Sequence, residues 1–384
     1  MSSLKNPSNF PLLQVEHLSI DFVNEDTKTM AIEDISFTLY KGETLALVGE
    51  SGSGKSVTAL SILRLLPSPP AYIRQGQLFF SADGMVRENI LTVSNEDLEK
   101  IRGNKIGFIF QEPMSSLNPL MKCGLQVQES IILHQSLNKK VAYQKVVQLC
   151  EEVKLPTPEI MFNRYPHELS GGQKQRVMIA MAIACDPVLL IADEPTTALD
   201  VTVQKSIVTL LKELQQKKGM GILFITHDLK LVSTFADYVM VLRKGKQIES
   251  NTIQQIFQHP QEKYTKGLLT CRPSIATRVK QLVTIEQFEK EEKASPSNVI
   301  SYHDYVNRIE HLRNNKKILE AIQMEVWYPV RRSFWGKVNS WSKAVQGVDF
   351  TLHESETIGL VGESGCGKTS IGRALVGLAS IQKG

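Results

Sequence analysis

Cysteine is scarce in this sequence, and long apolar runs are missing from it. The five cysteines are odd in number and include no Cys-x-x-Cys pair, which argues against a disulfide framework and a zinc site. The polar start of the chain lacks the apolar core of a secretory signal. The longest apolar stretch, 177–192, is interrupted by Asp186 and Pro187 and falls short of the roughly 20 residues that a membrane span needs. We expect a protein of a reducing compartment, with any membrane-spanning part supplied by other chains.

The net charge of the chain is also small. The formal net charge is +4 over 384 residues, which gives no reason to expect nucleic acid or a strongly anionic membrane surface as the main partner. The hydrophobic and charged fractions, 42% and 22%, are those of an ordinary globular protein. The length is sufficient for two domains.

A long repeat organises the chain. Residues 31–55, AIEDISFTLYKGETLALVGESGSGK, return without a gap as residues 344–368, AVQGVDFTLHESETIGLVGESGCGK. A repeat this far apart indicates a whole domain and a linker, followed by a second copy. We expect a complete lobe over 1–270, a charged linker over 271–320, and the N-terminal part of a second lobe over 321–384. The second copy stops short either because the chain is a fragment of a longer subunit or because its gene is truncated.

The linker is rich in charge and has weak apolar periodicity, which favours a solvated segment with some helix. We interpret its charged residues as surface groups without a chemical role: Glu286, Glu289, Lys290, Glu291, Glu292 and Lys293.

Apolar runs alternate with helical stretches in the first lobe. Buried strands are predicted over 44–48, 106–110, 188–192 and 222–226. The segment from about 94 to 184 is more helical and interrupts these strands. The pattern predicts an α/β fold with a helical subdomain inserted into its core.

A phosphate-binding loop follows the first of these strands. Its sequence, Gly49-Glu50-Ser51-Gly52-Ser53-Gly54-Lys55-Ser56, matches the motif G-x-x-x-x-G-K-[ST] and precedes a helix predicted over 57–66. Glycines let backbone N–H groups curl toward phosphate oxygens, and the helix adds its positive end. We expect Lys55 to reach the β- and γ-phosphates and Ser56 to offer its hydroxyl to Mg²⁺. A plain Gly/Ser turn is the alternative, and the recurrence of the motif in the second copy argues against it.

Two carboxylates end another predicted strand. Asp193 and Glu194 lie at the C-terminal edge of the predicted sheet, where α/β folds bind ligands. We expect Asp193 to complete the Mg²⁺ shell and Glu194 to polarise an attacking water. The alternative, that both acids cap the next element, is weakened by Pro195, which follows them directly.

A second phosphate-binding helix start is predicted at Leu169-Ser170-Gly171-Gly172-Gln173, just before an apolar helix over 176–185. Ser170 and the two glycines would present this helix start to a γ-phosphate. One nucleotide does not need two such helix ends from one domain. The motif is explained if it serves a nucleotide that is bound to a partner.

With these motifs the chain resembles the ATPase subunits of ABC transporters, whose signature is LSGGQ. The resemblance implies a P-loop NTPase with a RecA-like core, an N-terminal antiparallel β subdomain and an inserted helical subdomain. It also assigns Gln111 to the glutamine loop, Asp200 to the D-loop and His227 to the switch histidine. Phe22 matches the aromatic residue that stacks on adenine, although a core position would explain it equally well.

Four segments resemble the ATPases of oligopeptide/dipeptide importers in particular: 111–119, 165–168, 193–204 and 264–269. The match departs from the family at Glu262-Lys263, where His-Pro is usual, and the cysteine cluster that many relatives carry after this point is missing. Two lobes on one chain further resemble the fused members of the group.

The resemblance assigns catalysis to Glu194, His227 and Gln111, and contacts to Mg²⁺ to Ser56, Gln111 and Asp193. The expected nucleotide-binding residues of the first lobe are Phe22, Gly49, Glu50, Ser51, Gly52, Ser53, Gly54, Lys55, Ser56, Ser170, Gly171, Gly172, Gln173 and Asp200. Those of the second copy are Tyr328, Gly362, Gly365, Gly367, Lys368 and Thr369. No second signature, Asp-Glu pair or switch histidine follows Lys368 within this sequence. We therefore expect turnover at the first lobe, opposite the signature of a second copy of the chain.

The cofactors that the resemblance implies are ATP and Mg²⁺. The implied partners are transmembrane permease subunits near 111–126, a second lobe or second copy, and indirectly a solute-binding protein, with the chain peripheral at the cytoplasmic face of the membrane. Two other classes stay open. A soluble two-lobe ABC protein acting on ribosomes or DNA would not be expected to carry the segments at 114–119 and 264–269, and an interaction-only fragment would lack ATP turnover. The transported solute stays open as well, with peptides favoured by the resemblance.

Overall fold

The computed structural model describes residues 10–24, 27–112, 116–271, 278–290, 299–332, 338–363 and 365–384. Two parts of the sequence interpretation, residues 113–115 of the importer-like segment and linker residues 291–293, lie outside these ranges. The chain divides into two compact units, one made of 1–271 with 284–290 and the other of 272–283 with 291–384.

The first unit is built on one large sheet with helices around it. Its strands are β1 (Pro11–Val23), β2 (Lys28–Tyr40), β3 (Thr44–Val48), β4 (Ala71–Phe80), β5 (Glu88–Asn89), β6 (Ile106–Ile109), β7 (Leu189–Asp193), β8 (Gly221–Thr226), β9 (Tyr238–Arg243) and β10 (Lys246–Thr252). Its helices are α1 (Lys55–Ile62), α2 (Asn95–Ile101), α3 (Cys123–Gln135), α4 (Lys139–Glu152), α5 (Pro158–Asn163), α6 (Gly171–Ala182), α7 (Val201–Lys218), α8 (Leu229–Val232), α9 (Ile253–Gln258), α10 (Lys263–Thr270) and α11 (Ile285–Glu289). A short 3₁₀ helix, Pro166–Glu168, precedes α6.

The ten strands are ordered β5-β4-β1-β2-β10-β9-β3-β8-β7-β6. Strands β9, β3, β8, β7 and β6 pair in parallel, whereas β2, β1, β4 and β5 form antiparallel pairs. This confirms the predicted α/β core with an N-terminal antiparallel β subdomain. Helices α3, α4 and α5 are inserted between β6 and β7, as the helical pattern predicted.

The predicted strand positions are confirmed to within one residue at each end. The helix predicted over 57–66 instead runs from Lys55 to Ile62. It ends early because Arg64, two residues after Ile62, adopts a left-handed φ of 52°. The apolar stretch that resembled a membrane span is helix α6, a turn at Asp186 (φ 55°) and strand β7. In the described part of the chain, no helix is long and apolar enough to cross a membrane.

The central strands face two hydrophobic clusters at once. In β7, Leu190 and Ala192 belong to one cluster, while Leu189 and Ile191 belong to the other. This alternation is the period-two pattern of a strand that is covered on both faces. The first cluster continues into the inserted helices, for example at Val127 of α3. The sheet edge that carries the predicted carboxylates is therefore anchored from both sides.

The turn before β7 carries a small charge cluster. The Asp186 carboxylate accepts hydrogen bonds from Lys218 at 2.7 Å and from Lys145 at 3.0 Å. Burial alone would raise the pKa of Asp186, but the two lysines outweigh it and hold that pKa below its usual value. The cluster ties α4 and α7 to the turn.

The second unit contains α12 (Tyr302–Arg313), β11 (Lys317–Arg332), β12 (Val338–His353), α13 (Lys368–Leu375) and β13 (Ile381–Lys383). Its described strands form a sheet in the order β12-β11-β13. A small core joins the sheet to α13, with Val326, Val345 and Ile371 among its buried members.

The strand context of the second phosphate loop differs from that of the first. Strand β3 is fully buried because β8 and β9 flank it. The matching residues 357–361 are irregular in the structure, and Val361 is 94% exposed. Counterparts of β8 and β9 are lacking in the described part of this unit. Of the strand, loop and helix of the first lobe, the described residues of the second unit therefore repeat the loop contacts and the helix only.

Candidate nucleotide site

Glycine is required at two positions of the first phosphate loop for different reasons. Gly54, directly before α1, has φ 100°, and a Cβ atom there would lie 2.5 Å from Cγ2 of Ile32. A Cβ atom on Gly49 would meet the carbonyl oxygen of Leu242. The first position needs a left-handed backbone and the second a close approach to a neighbouring strand. Together they let the loop curl around the start of a helix, which is the geometry that binds phosphate.

Lys55 is buried at the centre of this loop. It is 4% exposed, and its Nζ donates to the carbonyl oxygens of Gly49 at 2.9 Å and Glu50 at 2.8 Å. Nζ also lies 4.0 Å from Oε1 of Glu194. Burial lowers the pKa of Lys55, and the nearby Glu194 and Asp193 carboxylates partly oppose that effect. The predicted lysine and carboxylates therefore lie in one site.

Ser56 and Asp193 are also brought together. The Ser56 hydroxyl donates to Oδ1 of Asp193 at 3.0 Å, across the gap between α1 and β7. Burial raises the pKa of Asp193 to about 6, an effect that the Ser56 hydrogen bond opposes and the Glu194 charge reinforces. A cation beside Asp193 would favour its charged form.

Glu194 is held by several neighbours. Its φ of 45° is left-handed, as expected for a residue at a sharp turn out of a strand. Its Oε2 accepts from the Thr197 hydroxyl at 2.8 Å and from Nε2 of Gln111 at 3.3 Å, and lies 3.4 Å from Nδ1 of His227. Two of the predicted catalytic residues, Gln111 and His227, thus converge on the carboxylate of the third, Glu194. The His227 side chain is 62% exposed and that of Glu194 only 11%.

A cavity of about 480 Å³ opens beside this cluster. It is lined by Ser56, Leu60, Phe110, Gln111, Glu112, Ser116, Met181 and Asp193. The cavity therefore brings the two predicted Mg²⁺ oxygens and the glutamine loop to one opening.

The signature motif forms a separate helix start. Ser170 caps α6 through a capping box with Gln173, in which each side chain accepts the other's backbone N–H. Asp200 caps α7 by accepting the Val203 backbone N–H at 3.0 Å, and a Cβ atom on Gly172 would lie 2.9 Å from Cγ1 of Val203. Hence the D-loop and signature pack together. Within the described residues, no hydrogen bond or ion pair joins Ser170–Gln173 to the phosphate loop.

The two predicted adenine-stacking residues occupy matching strand positions. Phe22 is half-buried on β1 and pairs with Thr29 of β2 and Ala71 of β4. Tyr328 is half-buried on β11, opposite Ser342 of β12. Stacking on adenine stays a prediction for both residues.

The described residues of the second phosphate loop repeat the lysine contacts of the first. Lys368 donates to the carbonyl oxygens of Gly362 at 2.8 Å and Glu363 at 2.7 Å, as Lys55 does in its own loop. Gly365 and Gly367 have φ of 84° and 98°, and Thr369 is exposed. In the described part of this unit, Lys368 makes no ion pair with a carboxylate.

Sequence reasoning missed several contacts. Thr197 donates a hydrogen bond to Glu194. The sequence feature that could have predicted this contact is a hydroxyl side chain three residues after the carboxylate. Tyr264 contacts the phosphate loop at Glu50, and Arg243 forms a two-point ion pair with Glu289 of α11. The interpretation of the linker charges as solvated groups is therefore wrong for Glu289.

Comparison with known families gives a direct match. A profile described as ABC transporter matches residues 32–197 and 345–384, which include both phosphate loops. The peptidoglycan transport ATP-binding protein YejF of Agrobacterium fabrum is 44% identical over 372 residues, covering 97% of this chain and 62% of that protein. The glutathione import ATP-binding protein GsiA of Pectobacterium atrosepticum is 40% identical over 374 residues, covering 97% and 59%. The chain thus spans 59–62% of the length of these two relatives.

Solved structures give the same fold. The dimeric, post-hydrolysis ATP-binding cassette MJ0796 bound to ADP and Pi aligns with a TM-score of 0.56 at 27% identity, covering 63% of this chain and 98% of that one. The cbiO1 protein of Clostridium perfringens, part of the ABC transporter complex cbiONQ, aligns with a TM-score of 0.53 at 26% identity, covering 65% and 92%.

Proposed function

Because this chain belongs to the ABC transporter family, we propose that it binds and hydrolyses ATP with Mg²⁺ and thereby drives import of a small solute through separate permease chains. The observation that carries the proposal is the convergence of Lys55, Asp193 and Glu194 at one sheet edge. Phosphoryl transfer depends on positioned charges and on a group that accepts the proton of the attacking water, rather than on covalent chemistry. This site supplies both.

Magnesium fits the residues present. Mg²⁺ prefers hard oxygen ligands, and it is usually bound by one or two carboxylates together with substrate phosphates and water. The Ser56 hydroxyl and the Asp193 carboxylate, 3.0 Å apart, are oxygens of this kind, and Gln111 lines the same cavity. When bound, the ion neutralises charge on the phosphates.

The protein side chains divide the remaining work. Lys55 would exchange loop carbonyl oxygens for phosphate oxygens, because its ammonium is already aimed into the loop. Glu194 would accept the proton of the attacking water, held in place by Thr197 and Gln111. His227 is exposed beside Glu194, where it can donate to a γ-phosphate.

The signature would act on a nucleotide held by another lobe. Its capped, exposed helix start makes no hydrogen bond to the phosphate loop of its own lobe among the described residues. MJ0796 is dimeric in its ADP-bound structure, which supports pairing of two lobes. For this chain the partner would be a second copy or a second lobe.

The import direction and the solute class rest on relatives. Two of them are named for transport of peptidoglycan and import of glutathione, which favours peptide-like solutes. The chain would sit peripherally at the cytoplasmic face of the membrane, bound to permease loops.

Two measurements test this function. The purified chain should hydrolyse ATP in a Mg²⁺-dependent manner, and Lys55→Ala should abolish that turnover. The chain should also co-purify with membrane permease subunits when they are expressed together. Absence of turnover in the intact chain, or co-purification with ribosomes or DNA in place of permeases, would reject the proposal.

A further inference from the structure

The end of strand β9 fixes the phosphate loop at two points. Gly49, at the start of the loop, lies so close to the carbonyl group of Leu242 that it has no room for a Cβ atom. At the other end of the loop, the Gly245 N–H donates to the carbonyl oxygen of Ser53 at 3.1 Å. Arg243 lies between these two contacts in the chain. A shift of this turn must therefore shift the loop.

Helix α10 adds a third contact through Tyr264. The Tyr264 hydroxyl donates to Oε2 of Glu50 at 3.2 Å and accepts the Glu50 backbone N–H at 3.4 Å. Tyr264 is 2% exposed, and burial raises its pKa to about 12, so the hydroxyl keeps the proton that it donates. Glu50 is thus held by its backbone and by its carboxylate.

Arg243 connects Tyr264 to the segment that follows the lobe. Its guanidinium lies 4.5 Å from the centroid of the Tyr264 ring and donates two hydrogen bonds to Glu289, at 2.5 and 2.7 Å. A two-point pair of this kind fixes the orientation of the guanidinium plane. The Arg243 and Glu289 side chains are 24% and 22% exposed, so both are partly desolvated.

Helix α11, which ends at Glu289, packs closely against α10. A Cβ atom on Gly267 would lie 3.0 Å from Cγ2 of Ile285 and 3.4 Å from Cδ1 of Phe288. Gly267 lies one turn after Tyr264, so one face of α10 carries both contacts. The Glu289 carboxylate is therefore presented to Arg243 by a packed helix.

We propose that Tyr264 is a positioning residue for the phosphate loop and that Glu289, acting through Arg243, controls how firmly Tyr264 holds Glu50. This inference rests on the proposed function and adds a regulatory contact to it. By holding the Glu50 carboxylate in its hydrogen bond, Tyr264 would prevent it from approaching bound phosphates, which carry the same charge. Loss of the α11 contact releases Arg243 and weakens nucleotide binding at the first lobe.

The test measures MgADP affinity of the full chain by titration calorimetry, because ADP binding requires no hydrolysis. Tyr264→Phe removes the hydroxyl and keeps the ring. It should weaken MgADP binding about fivefold, the usual worth of one hydrogen bond, because the 3.2 Å bond to the Glu50 carboxylate outweighs the longer 3.4 Å bond from the Glu50 N–H. Glu289→Gln should weaken it about threefold, whereas Glu286→Gln, the same change at an exposed position of the same helix, should leave it unaltered. The double variant should lose no more than about fivefold, because both changes act on one contact.

A purely structural role predicts a different result. If the contacts were only structural, the substitutions would lower the unfolding temperature of the nucleotide-free protein and leave the MgADP affinity unaltered. If they position the loop, the substitutions raise the KM for ATP and leave kcat unaltered. Affinity of Tyr264→Phe equal to that of Glu286→Gln, or multiplicative losses in the double variant, would overturn the inference. Failure of the unmodified chain to bind MgADP would instead overturn the proposed function.

Discussion

Replacing Glu194 with Gln removes the carboxylate and preserves nearly everything else. The amide oxygen of Gln can still accept the Thr197 hydroxyl, which now donates at 2.8 Å, and the side chain keeps its size. Stability should therefore change by less than about 1 kcal/mol. Turnover should fall by roughly 10² to 10⁴, which corresponds to about 3–5 kcal/mol of transition-state free energy, because the water loses its proton acceptor.

Initial ATPase rates and binding of a fluorescent ATP analogue separate these effects. Glu213→Gln provides the matched control, because Glu213 is half exposed and pairs with Lys154 on the protein surface. ATP binding should be retained in both variants, because removing a negative charge beside Lys55 adds no electrostatic repulsion of the phosphates. Hydrolysis at the unmodified rate in Glu194→Gln would refute the assignment of the water-activating role.

Thr197→Val tests the positioning of the same carboxylate. Loss of the hydroxyl should lower kcat about tenfold, at the scale of one hydrogen bond to a charged group. Combined with Glu194→Gln, it should add almost nothing, because there is no base left to position. Multiplicative losses would show that Thr197 acts independently of Glu194.

Two further predictions concern the signature and the turn before β7. Ser170→Arg should spare MgADP binding by the monomer but prevent ATP-driven dimerisation in gel filtration, and loss of monomer binding would contradict action on a second lobe. Asp186→Asn keeps a residue that tolerates φ 55° and removes only the charge. Because the folded pKa of Asp186 is lowered, its contribution is present at neutral pH and lost as pH falls through that pKa. Urea unfolding should show a loss of at most about 1 kcal/mol at pH 7, since the carboxylate is half exposed. The loss should become smaller at acid pH as Asp186 takes up a proton, and an equal loss at both pH values would exclude the ion pairs as its cause.

Local sequence was sufficient to predict the parts of the site that lie within one loop or strand end. Residues 49–56 and the pair Asp193-Glu194 are each set by a short motif, and parallel strands bring their carboxyl ends to the same edge. The family resemblance then assigned catalytic roles to Gln111 and His227 together with Glu194, and the structure places both within 3.4 Å of its Oε2.

Contacts between distant segments could not be predicted in this way. Tyr264 and Glu50 are 214 residues apart, and Arg243 and Glu289 are 46 apart. Neither pair has a motif of its own, and a charged linker composition predicts solvated side chains in general. Glu289 is an exception because Ile285 and Phe288 pack on Gly267 and fix the position of α11. The fixed helix then places Glu289 beside Arg243 instead of in solvent.

The exposed segment 357–361 of the second unit shows the same limit. Residues 344–368 repeat the sequence of 31–55 closely, yet residues 357–361 do not form a strand in the structure. A parallel strand depends on neighbours that are remote in sequence, whereas a phosphate loop depends mainly on its own glycines.

Lys55 engages two of its three N–H donors with carbonyl groups of its own loop. Nucleotide arrival therefore exchanges hydrogen-bond partners and does not require the loop to fold. Little ordering entropy opposes such a step, and its heat-capacity change should be small. The rate of association should then be governed by diffusional encounter. Under the proposed function, the lobe would bind and release nucleotide rapidly, and the slower pairing of two lobes would commit the nucleotide to hydrolysis.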